Sequence, residues 1–340
     1  MRKSKAIAAL AASALALSLA ACGDDGDSNG NGGTDGGGGD ATLTLRLGHS
    51  YGIDSLQNRA AEQLAENVNE ASDGRLTIEV FPASQLGSWE EMQEGLEIGS
   101  VDIVIESVGS LERYTDLVAI EGVPFLYRDA DHFFAVWDGE IGDEIIQAIR
   151  DDSGFLLLGE MYRGPRVLNA SRPIETLQDV QGLKLRVPTQ QTYIDTWNAL
   201  GAAPTPLALN EVFSGIEQGA IEGQENPIDV VRFNSFYEVA PYVTNTNHLY
   251  GNFHFQVWGD GYDSWDPELR EILDAEIDAI SDEYRENSLN EETENIEFLK
   301  GEGVTFYDIE MEEWAAQTQS VTDSVRSDQV KEWVETIKGM

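Results

Sequence analysis

After residue 42, three strand patterns separated by two helical patterns limit this chain to a small set of folds. Alternating leucines at 43–47, alternating apolar side chains at 76–80 and a nearly continuous apolar run at 101–105 predict strands. Between them, residues 56–68 and 92–96 place apolar side chains at helical spacing. A β-α-β-α-β order predicts a parallel sheet with right-handed crossovers. We therefore expect an α/β fold.

The strongest helix signal lies near the C-terminus. Asp266 is a favourable N-cap, Pro267 suits the first helical position, and Glu268 is an acid near the positive helix end. The apolar periodicity then persists to about Lys300, where Gly301 follows. Such a helix would be roughly 50 Å long at 1.5 Å per residue. It is long enough to span two lobes, which a chain of 340 residues can form.

The charge balance excludes some partners. Lys and Arg together number 21 and Asp and Glu 62, which gives a formal net charge of −41. So acidic a surface argues against nucleic acid and against peripheral binding to anionic lipid. An anion site must therefore be built from local positive charge. The excess acid indicates either adaptation to high salt or an acidic extracellular protein, and the sequence leaves both open.

The N-terminus has the pattern of a lipoprotein signal peptide. Three basic residues precede the apolar stretch Ala6 to Ala21, which is too short for a comfortable membrane span. The sequence Leu19-Ala20-Ala21-Cys22 is similar to a lipobox, so we expect cleavage before Cys22 and lipid on its thiol. Gly23 to Ala41 holds nine glycines and five aspartates and no large apolar side chain, which predicts a flexible tether.

One segment carries most of the functional information. Leu183, Leu185 and Val187 alternate with Lys184 and Arg186, and Pro188 ends this predicted strand. Ligands of α/β proteins usually bind at strand ends, and a guanidinium offers a rigid pair of donors to a carboxylate. On the pattern alone, a surface arginine is the commoner alternative.

Taken together, Gly182 to Pro188, Ala199 to Phe213 and Gly219 to Pro227 resemble the signature region of the solute-binding proteins of TRAP (tripartite ATP-independent periplasmic) transporters. The resemblance extends from about Leu43 to the C-terminus. It implies a two-lobed, periplasmic-binding-protein-like α/β fold with a long helix spanning both lobes. It also implies that a small organic acid is captured between the lobes by hinge closure and delivered to a separate membrane permease. The protein would be extracytoplasmic, held by its lipid at the outer face of the cell membrane or on the periplasmic side.

The resemblance also supplies site residues. Arg186 would hold the ligand carboxylate, Arg166 would add a second positive contact, and Asn226 would donate from its amide. The implied division is a signal peptide at 1–21, a tether at 22–41, a first lobe at 42–163 and 252–291, and a second lobe at 164–251 and 292–340.

The ligand class depends on residues outside the signature region. Glu106 ends a predicted strand, where it could accept hydrogen bonds from ligand hydroxyls or could be a helix-capping or solvated acid. Family members that bind acidic sugars place a carboxylate here. Ser50 and Trp89 stand at two further positions used by sialic-acid binders, but Gly109 stands where those proteins have an arginine. We therefore favour a sugar acid such as a uronate over sialic acid, with a C4-dicarboxylate or 2-oxo acid as alternatives.

An enzyme is the rival class. Glu106 and Glu225 could in principle act as acid and base in glycoside cleavage, but Glu225 lies within the binding motif. Nucleophile-elbow and phosphate-loop motifs are missing from the sequence. The four histidines show no metal spacing on a common helix face. We expect no enzymatic activity, no cofactor and no metal site.

Overall fold

The computed structural model describes residues 42–340. The signal peptide, Cys22 and the tether lie outside these described residues.

Strands and helices alternate along most of the described chain. The strands are β1 (Leu43–Gly48), β2 (Leu76–Phe81), β3 (Ile103–Ser107), β4 (Phe155–Ala170), β5 (Lys184–Val187), β6 (Ala203–Pro206), β7 (Gly223–Pro227), β8 (Tyr242–Asn245), β9 (Tyr250–Trp258) and β10 (Thr305–Asp308). The helices are α1 (Leu56–Ala71), α2 (Trp89–Glu97), α3 (Ala130–Trp137), α4 (Glu140–Ser153), α5 (Leu177–Val180), α6 (Gln191–Ala199), α7 (Val212–Glu217), α8 (Ile228–Phe233), α9 (Phe236–Val239), α10 (Gly259–Asp263), α11 (Pro267–Gly301), α12 (Met311–Gln317), α13 (Gln319–Ser324) and α14 (Asp328–Gly339). Short 3₁₀ helices cover Val108–Arg113, Asp116–Ile120 and Leu209–Glu211.

The strands join in one mixed sheet. Its order is β2-β1-β3-β9-β4-β7-β5-β6, with β8 paired to β4 and β10 to β8. Strand β1 runs parallel to β2 and β3, and β5 runs parallel to β6 and β7. Strand β9 is antiparallel to both β3 and β4. The predicted α/β fold, with its parallel β-α-β-α-β start, is confirmed.

Strand β4 connects the two halves of the sheet. Its first part pairs with β9 and its second part with β7 and β8. The pairing with β9 shifts register between Leu158 and Met161 and again between Tyr162 and Pro165. Gly159 and Gly164 lie at these shifts with φ of +64° and +75°, values that L side chains rarely adopt. The strand therefore bends as it passes from one half of the sheet to the other.

Helix α11 confirms the predicted long helix. It is 35 residues long, and the Asp266 carboxylate accepts hydrogen bonds from the backbone N–H groups of Glu268 and Leu269. Leu269, Leu273 and Ile277 are among its buried residues. The helix packs against β4, α1 and α8. It therefore contacts elements on both sides of the sheet's midpoint.

The last helix, α14, packs against residues that are distant from it in the sequence. Val330, Trp333 and Ile337 of α14 belong to the same apolar cluster as Phe133 and Phe155. The indole nitrogen of Trp333 also donates to the Glu144 carboxylate at 2.9 Å. Helix α14 thus packs against the 3₁₀ helix Asp116–Ile120 and against α4. Among residues 42–340, no helix is both long and apolar enough to cross a membrane.

Candidate ligand-binding site

A cavity lies where several strands end. All six predicted ligand-binding residues line it: Ser50, Trp89, Glu106, Arg166, Arg186 and Asn226. The sequence analysis assigned no ligand-binding role to the other lining residues, which are Tyr51, Ser107, Arg163, Pro188, Gln190, Tyr193 and Leu209. The structure therefore brings together side chains that are up to 176 residues apart in sequence, from Ser50 to Asn226 (226 − 50).

The sheet explains this convergence. Glu106 lies near the end of β3 and Arg186 near the end of β5, and Asn226 is the penultimate residue of β7. Ser50 follows β1 by two residues. Since β1 and β3 are parallel, and β5 and β7 are parallel, each pair brings its carboxyl ends to one edge of the sheet. Three strands, β9, β4 and β7, separate Glu106 from Arg186.

Arg186 is a buried guanidinium without a carboxylate partner among residues 42–340. Its residue exposure is 4%, so the surface-arginine alternative is wrong. Its Nε donates to the backbone oxygen of Leu207 at 2.7 Å, which leaves the terminal nitrogens without a hydrogen bond to the described chain. Burial lowers the pKa of Arg186 to about 10, and Arg166 adds to this effect while Glu225 opposes it. The group is thus charged at neutral pH, and no carboxylate of residues 42–340 neutralises it.

Arg166 differs from Arg186 because it already has a carboxylate. Its Nε donates to Glu225, and one terminal nitrogen donates to Glu225 Oε1 and to the Glu225 carbonyl, each at 2.8 Å. The guanidinium also lies 5.1 Å from the ring centre of Tyr193. The other terminal nitrogen makes no hydrogen bond to residues 42–340. That nitrogen is the one available to a ligand.

Glu225 is completely buried and belongs to this network rather than to the cavity lining. Its carboxylate lies 3.2 Å from Nε2 of His248, whose Nδ1 lies 2.8 Å from the Thr246 hydroxyl. Burial would raise the pKa of Glu225, but Arg166 and His248 outweigh burial and lower the pKa to about 2. A carboxylate held in this way is unsuited to act as acid or base near neutral pH.

Glu106 is 7% exposed, which rules out the solvated-acid alternative. It accepts hydrogen bonds from the Tyr51 hydroxyl at 3.0 Å and from the Ser107 backbone N–H at 2.9 Å. Burial raises its pKa, and the positive charge of Arg163 opposes the rise. A buried carboxyl group with remaining acceptor capacity can pair with ligand hydroxyls.

The remaining predicted residues supply neutral contacts. Asn226 is buried, and its amide nitrogen donates to Gln224 Oε1 at 2.6 Å, which leaves one amide hydrogen for a ligand. The Ser50 hydroxyl is buried with no hydrogen-bond partner in residues 42–340. Trp89 begins α2, whose N-terminus is held by a reciprocal capping pair between Ser88 and Glu91. This fixed helix end places the indole at the cavity wall.

A side chain at position 109 would enter space that is already occupied by another residue. The Gly109 N–H donates to the Glu121 carboxylate, and a Cβ at this position would lie 2.6 Å from Glu121 Oε2. A Cβ at Gly251 would lie 2.4 Å from the other oxygen of the same carboxylate. Glu121 therefore fills the space beside these two glycines. A side chain at position 109, such as the arginine of sialic-acid binders, would displace it.

Two exposed hydrogen bonds lie at the cavity rim, next to residues that line it. The Thr189 hydroxyl donates to the Glu90 carboxylate at 3.1 Å, and the backbone N–H of Gln191 donates to Glu112 at 2.7 Å. The second bond caps the N-terminus of α6 with a carboxylate from a distant segment. Both contacts join the segment after β5 to segments around β3. They hold the two halves of the sheet together at the cavity.

Two other spaces in the described chain contain an arginine in their walls. One includes Arg59, which pairs with Glu291, and the other shares Arg163 with this cavity but contains neither Arg166 nor Arg186. The spaces near α12 and α14 have no arginine in their walls. Within residues 42–340, no group of three His, Cys, Asp or Glu side chains is arranged to hold a metal ion. The arginine-lined cavity is therefore the best candidate for an anion.

Comparison with known proteins agrees with this geometry. The DctP family, described as bacterial extracellular solute-binding protein, family 7, matches residues 47–329. A solute-binding protein of Roseobacter denitrificans is 32% identical over 296 residues, covering 86% of this chain and 90% of the relative. A crystal structure of a TRAP periplasmic solute-binding protein from that species, with bound L-galactonate, has a TM-score of 0.82 at 30% identity and covers 87% of this chain and 99% of that chain. A second, from Xanthobacter autotrophicus Py2 with bound β-D-galacturonate, has a TM-score of 0.83 at 28% identity and covers the same shares.

The match runs through every element that lines the cavity, from the end of β1 to β7. It also places the protein among binding proteins rather than among the glycoside hydrolases that two buried carboxylates could suggest. The resemblance seen in the signature region is thereby confirmed. The chain belongs to the DctP family of TRAP solute-binding proteins.

Proposed function

We propose that this protein captures a sugar acid, such as a uronate or an aldonate, in the arginine-lined cavity and delivers it to a TRAP membrane permease. Arg186 binds the ligand carboxylate through its two terminal nitrogens, and Arg166 adds its one free nitrogen. Asn226 donates to the carboxylate or to a neighbouring hydroxyl. The observation that carries the proposal is a buried, charged Arg186 with no carboxylate partner in the described chain.

Glu106 favours a hydroxylated acid over a C4-dicarboxylate. Glu106 and Arg186 line the same cavity, but their strands, β3 and β5, lie on opposite sides of β9 and β4 in the sheet. A carboxylate at Arg186 therefore leaves the rest of the ligand to meet Glu106 and Tyr51. A ligand hydroxyl can donate to Glu106, whereas a second ligand carboxylate would be repelled by it. The galactonate and galacturonate bound to the two related structures are acids of the favoured kind.

Replacing Glu106 tests the ligand class. We expect Glu106→Ala to weaken a sugar acid by about 1 to 3 kcal/mol, or roughly tenfold or more, because ligand hydroxyls lose their acceptor. A C4-dicarboxylate such as succinate should bind equally well or better, since a repulsive charge is removed. Calorimetric titration of both proteins with D-galacturonate, L-galactonate and succinate measures this.

Glu112→Ala is a control for the Glu106 experiment, because Glu112 is a carboxylate of the cavity rim that does not line the cavity. It should not change the preference between sugar acid and dicarboxylate. Tight binding of succinate or of a 2-oxo acid by the wild type, without binding of either sugar acid, would contradict the proposed ligand class.

The cavity lies between the two proposed lobes, 42–163 with 252–291 and 164–251 with 292–340. The rim bonds from Thr189 and Gln191 connect these lobes, and release of the ligand requires them to separate. Strand β4 and helix α11 cross from one lobe to the other and carry the hinge. Helix α14 packs against first-lobe residues, so we propose that it moves with the first lobe.

The attachment of the protein rests on its N-terminal sequence. We propose that Cys22 becomes the lipidated first residue, with residues 23–41 as a tether of roughly 24 Å root-mean-square reach. In a bacterial host that processes lipoproteins, the wild type should then fractionate with membranes, and Cys22→Ser should lose lipid attachment. Labelling with a radioactive fatty acid, together with fractionation, checks this. Equal release of both forms from the membrane would rule out the anchor.

A further inference from the structure

Arg163 is a third guanidinium in the cavity wall, and its donors are unused. Its side chain is 7% exposed and lies 4.2 Å from the ring centre of Phe253. It makes no hydrogen bond to residues 42–340, and its Nε is buried without a partner. Buried donors are almost always paired, so an unpaired set beside a ligand cavity indicates that the ligand completes it.

The surroundings of Arg163 keep it charged and fixed. Its nearest carboxylate is Glu121, with Nη1 to Oε1 at 3.7 Å, a separation that permits an ion pair but exceeds hydrogen-bond length. Glu121 itself accepts a hydrogen bond from the Gly109 N–H, and its two carboxylate oxygens occupy the space that a Cβ at position 109 or 251 would enter. The ion pair therefore neutralises Arg163 without using its hydrogen-bond donors.

Arg163 lies on the Glu106 side of the cavity. The Phe253 ring beneath its guanidinium also packs edge-on against Tyr51, with ring centres 4.9 Å apart, and the Tyr51 hydroxyl donates to Glu106. The positive charge of Arg163 also opposes the burial-driven rise in the pKa of Glu106. The guanidinium of Arg163, which donates hydrogen bonds, and the carboxylate of Glu106, which accepts them, therefore lie on the same side of the cavity. A hydroxyl group can do both at once, so a row of neighbouring hydroxyls suits this pair.

The charged side chains of the cavity wall indicate whether the ligand has one carboxylate or two. Of the three arginines in the cavity wall, Arg166 pairs with Glu225 and Arg163 lies 3.7 Å from Glu121, whereas Arg186 has no carboxylate partner in the described chain. One ligand carboxylate neutralises Arg186, and a second would meet no unpaired cation in this wall. Because an uncompensated buried charge is costly, the site favours a ligand with a single carboxylate.

We propose that Arg163 is a specificity-determining residue that donates hydrogen bonds to the distal hydroxyls of a polyhydroxylated monocarboxylate. This rests on the proposed function, since it assumes that Arg186 holds the carboxylate. The two arginines then divide the ligand: Arg186 binds the acid group that all candidate ligands share, and Arg163 reads the hydroxylated end that distinguishes them.

The test compares L-galactonate with D-glycerate, a three-carbon acid that keeps the carboxylate and one neighbouring hydroxyl. Arg163→Met should weaken L-galactonate on the order of 10- to 100-fold, because charge-assisted hydrogen bonds are lost. Arg163→Lys should recover part of this loss. D-Glycerate, measured by displacement, should change less than about threefold or stay undetectable with both proteins.

Arg285→Met is the matched control. Arg285 also packs over an aromatic ring, Phe134 at 4.8 Å, and pairs with the carboxylates of Asp138 and Glu160, but it does not line the cavity. Its removal should leave both affinities near wild type. Ligand-free melting of every variant by circular dichroism reports folding, and Arg163→Lys keeps the test valid if Arg163→Met does not fold.

Three outcomes would overturn the inference while leaving the proposed function standing. They are an unchanged L-galactonate affinity in a folded Arg163 variant, an equal loss for D-glycerate, and tighter wild-type binding of galactarate, which has a carboxylate at each end, than of L-galactonate. The last would show Arg163 binding a second carboxylate. If the wild type bound none of the sugar acids, the proposed function itself would fail.

Discussion

Arg186→Ala is expected to weaken binding of a sugar acid by roughly 3 to 5 kcal/mol, which is on the order of 10² to 10³-fold or more in dissociation constant. The reason is that the ligand carboxylate enters a buried cavity and would lose the one guanidinium there that has no carboxylate of its own. Arg166 cannot replace it, because two of its three nitrogens are bound to Glu225. Calorimetric titration of both proteins measures the loss.

Two further variants show whether the loss is specific to the guanidinium of Arg186. Arg186→Lys keeps a positive charge but loses the planar pair of donors, so it should also bind more weakly than wild type. Lys184→Ala removes an exposed cation from the same strand and should change affinity little, because Lys184 does not line the cavity. Ligand-free melting shows whether each variant is folded. A folded Arg186→Ala protein with wild-type affinity would refute the carboxylate site.

Glu225→Ala is expected to lower the free energy of unfolding by about 3 to 5 kcal/mol. The substitution leaves the Arg166 guanidinium buried without its carboxylate and takes away the hydrogen-bond partner of His248. Breaking one side of a buried pair is more costly than replacing both sides with apolar groups of similar size. The double variant Arg166→Met with Glu225→Leu should therefore be less destabilised than Glu225→Ala. Urea denaturation of the three proteins measures these differences.

An exposed ion pair provides the matched control for Glu225. Glu297 and Lys300 lie one turn apart on α11, with side-chain exposures of 69% and 52%. Glu297→Ala should cost less than about 1 kcal/mol, because water and salt screen an exposed pair. If Glu225→Ala cost no more than Glu297→Ala, the buried network would not stabilise the protein as its geometry indicates.

The local pattern around Arg186 predicted a strand and a strand-end arginine, and both are present. Alternation between Leu183 and Val187 depends only on neighbouring residues, so the sequence determines it directly. The burial of Arg186 could not be predicted in this way. It depends on Leu207 and on the network of Glu225, which the fold brings from other strands.

Strand β4 shows where local patterns are insufficient. The apolar run Phe155 to Leu158 predicts only its first four residues, but the strand continues to Ala170. Gly159 and Glu160 interrupt the apolar alternation, because the register with β9 shifts there. The strand that joins both halves of the sheet, and that carries Arg163 and Arg166, was therefore only partly predictable.

The pairing of Arg163 with Glu121 had no sequence signal. The two residues are 42 positions apart (163 − 121), and Glu121 follows a short 3₁₀ helix with no motif around it. Gly109 was the available clue, since a glycine replaces an arginine of sialic-acid binders there. Only the structure shows that a carboxylate uses the space that this glycine leaves. Tyr51, which directly follows Ser50, could have been found by asking what bonds to Glu106.

The most direct test of the central claim is calorimetric titration of the wild-type protein with L-galactonate, D-galacturonate and succinate, followed by nuclear magnetic resonance of the recovered ligand. Capture of a sugar acid predicts binding of at least one of the two sugar acids with a stoichiometry near one per chain, recovery of that ligand unchanged, and weaker binding of succinate. Binding of succinate alone, or chemical conversion of either sugar acid, would contradict the account.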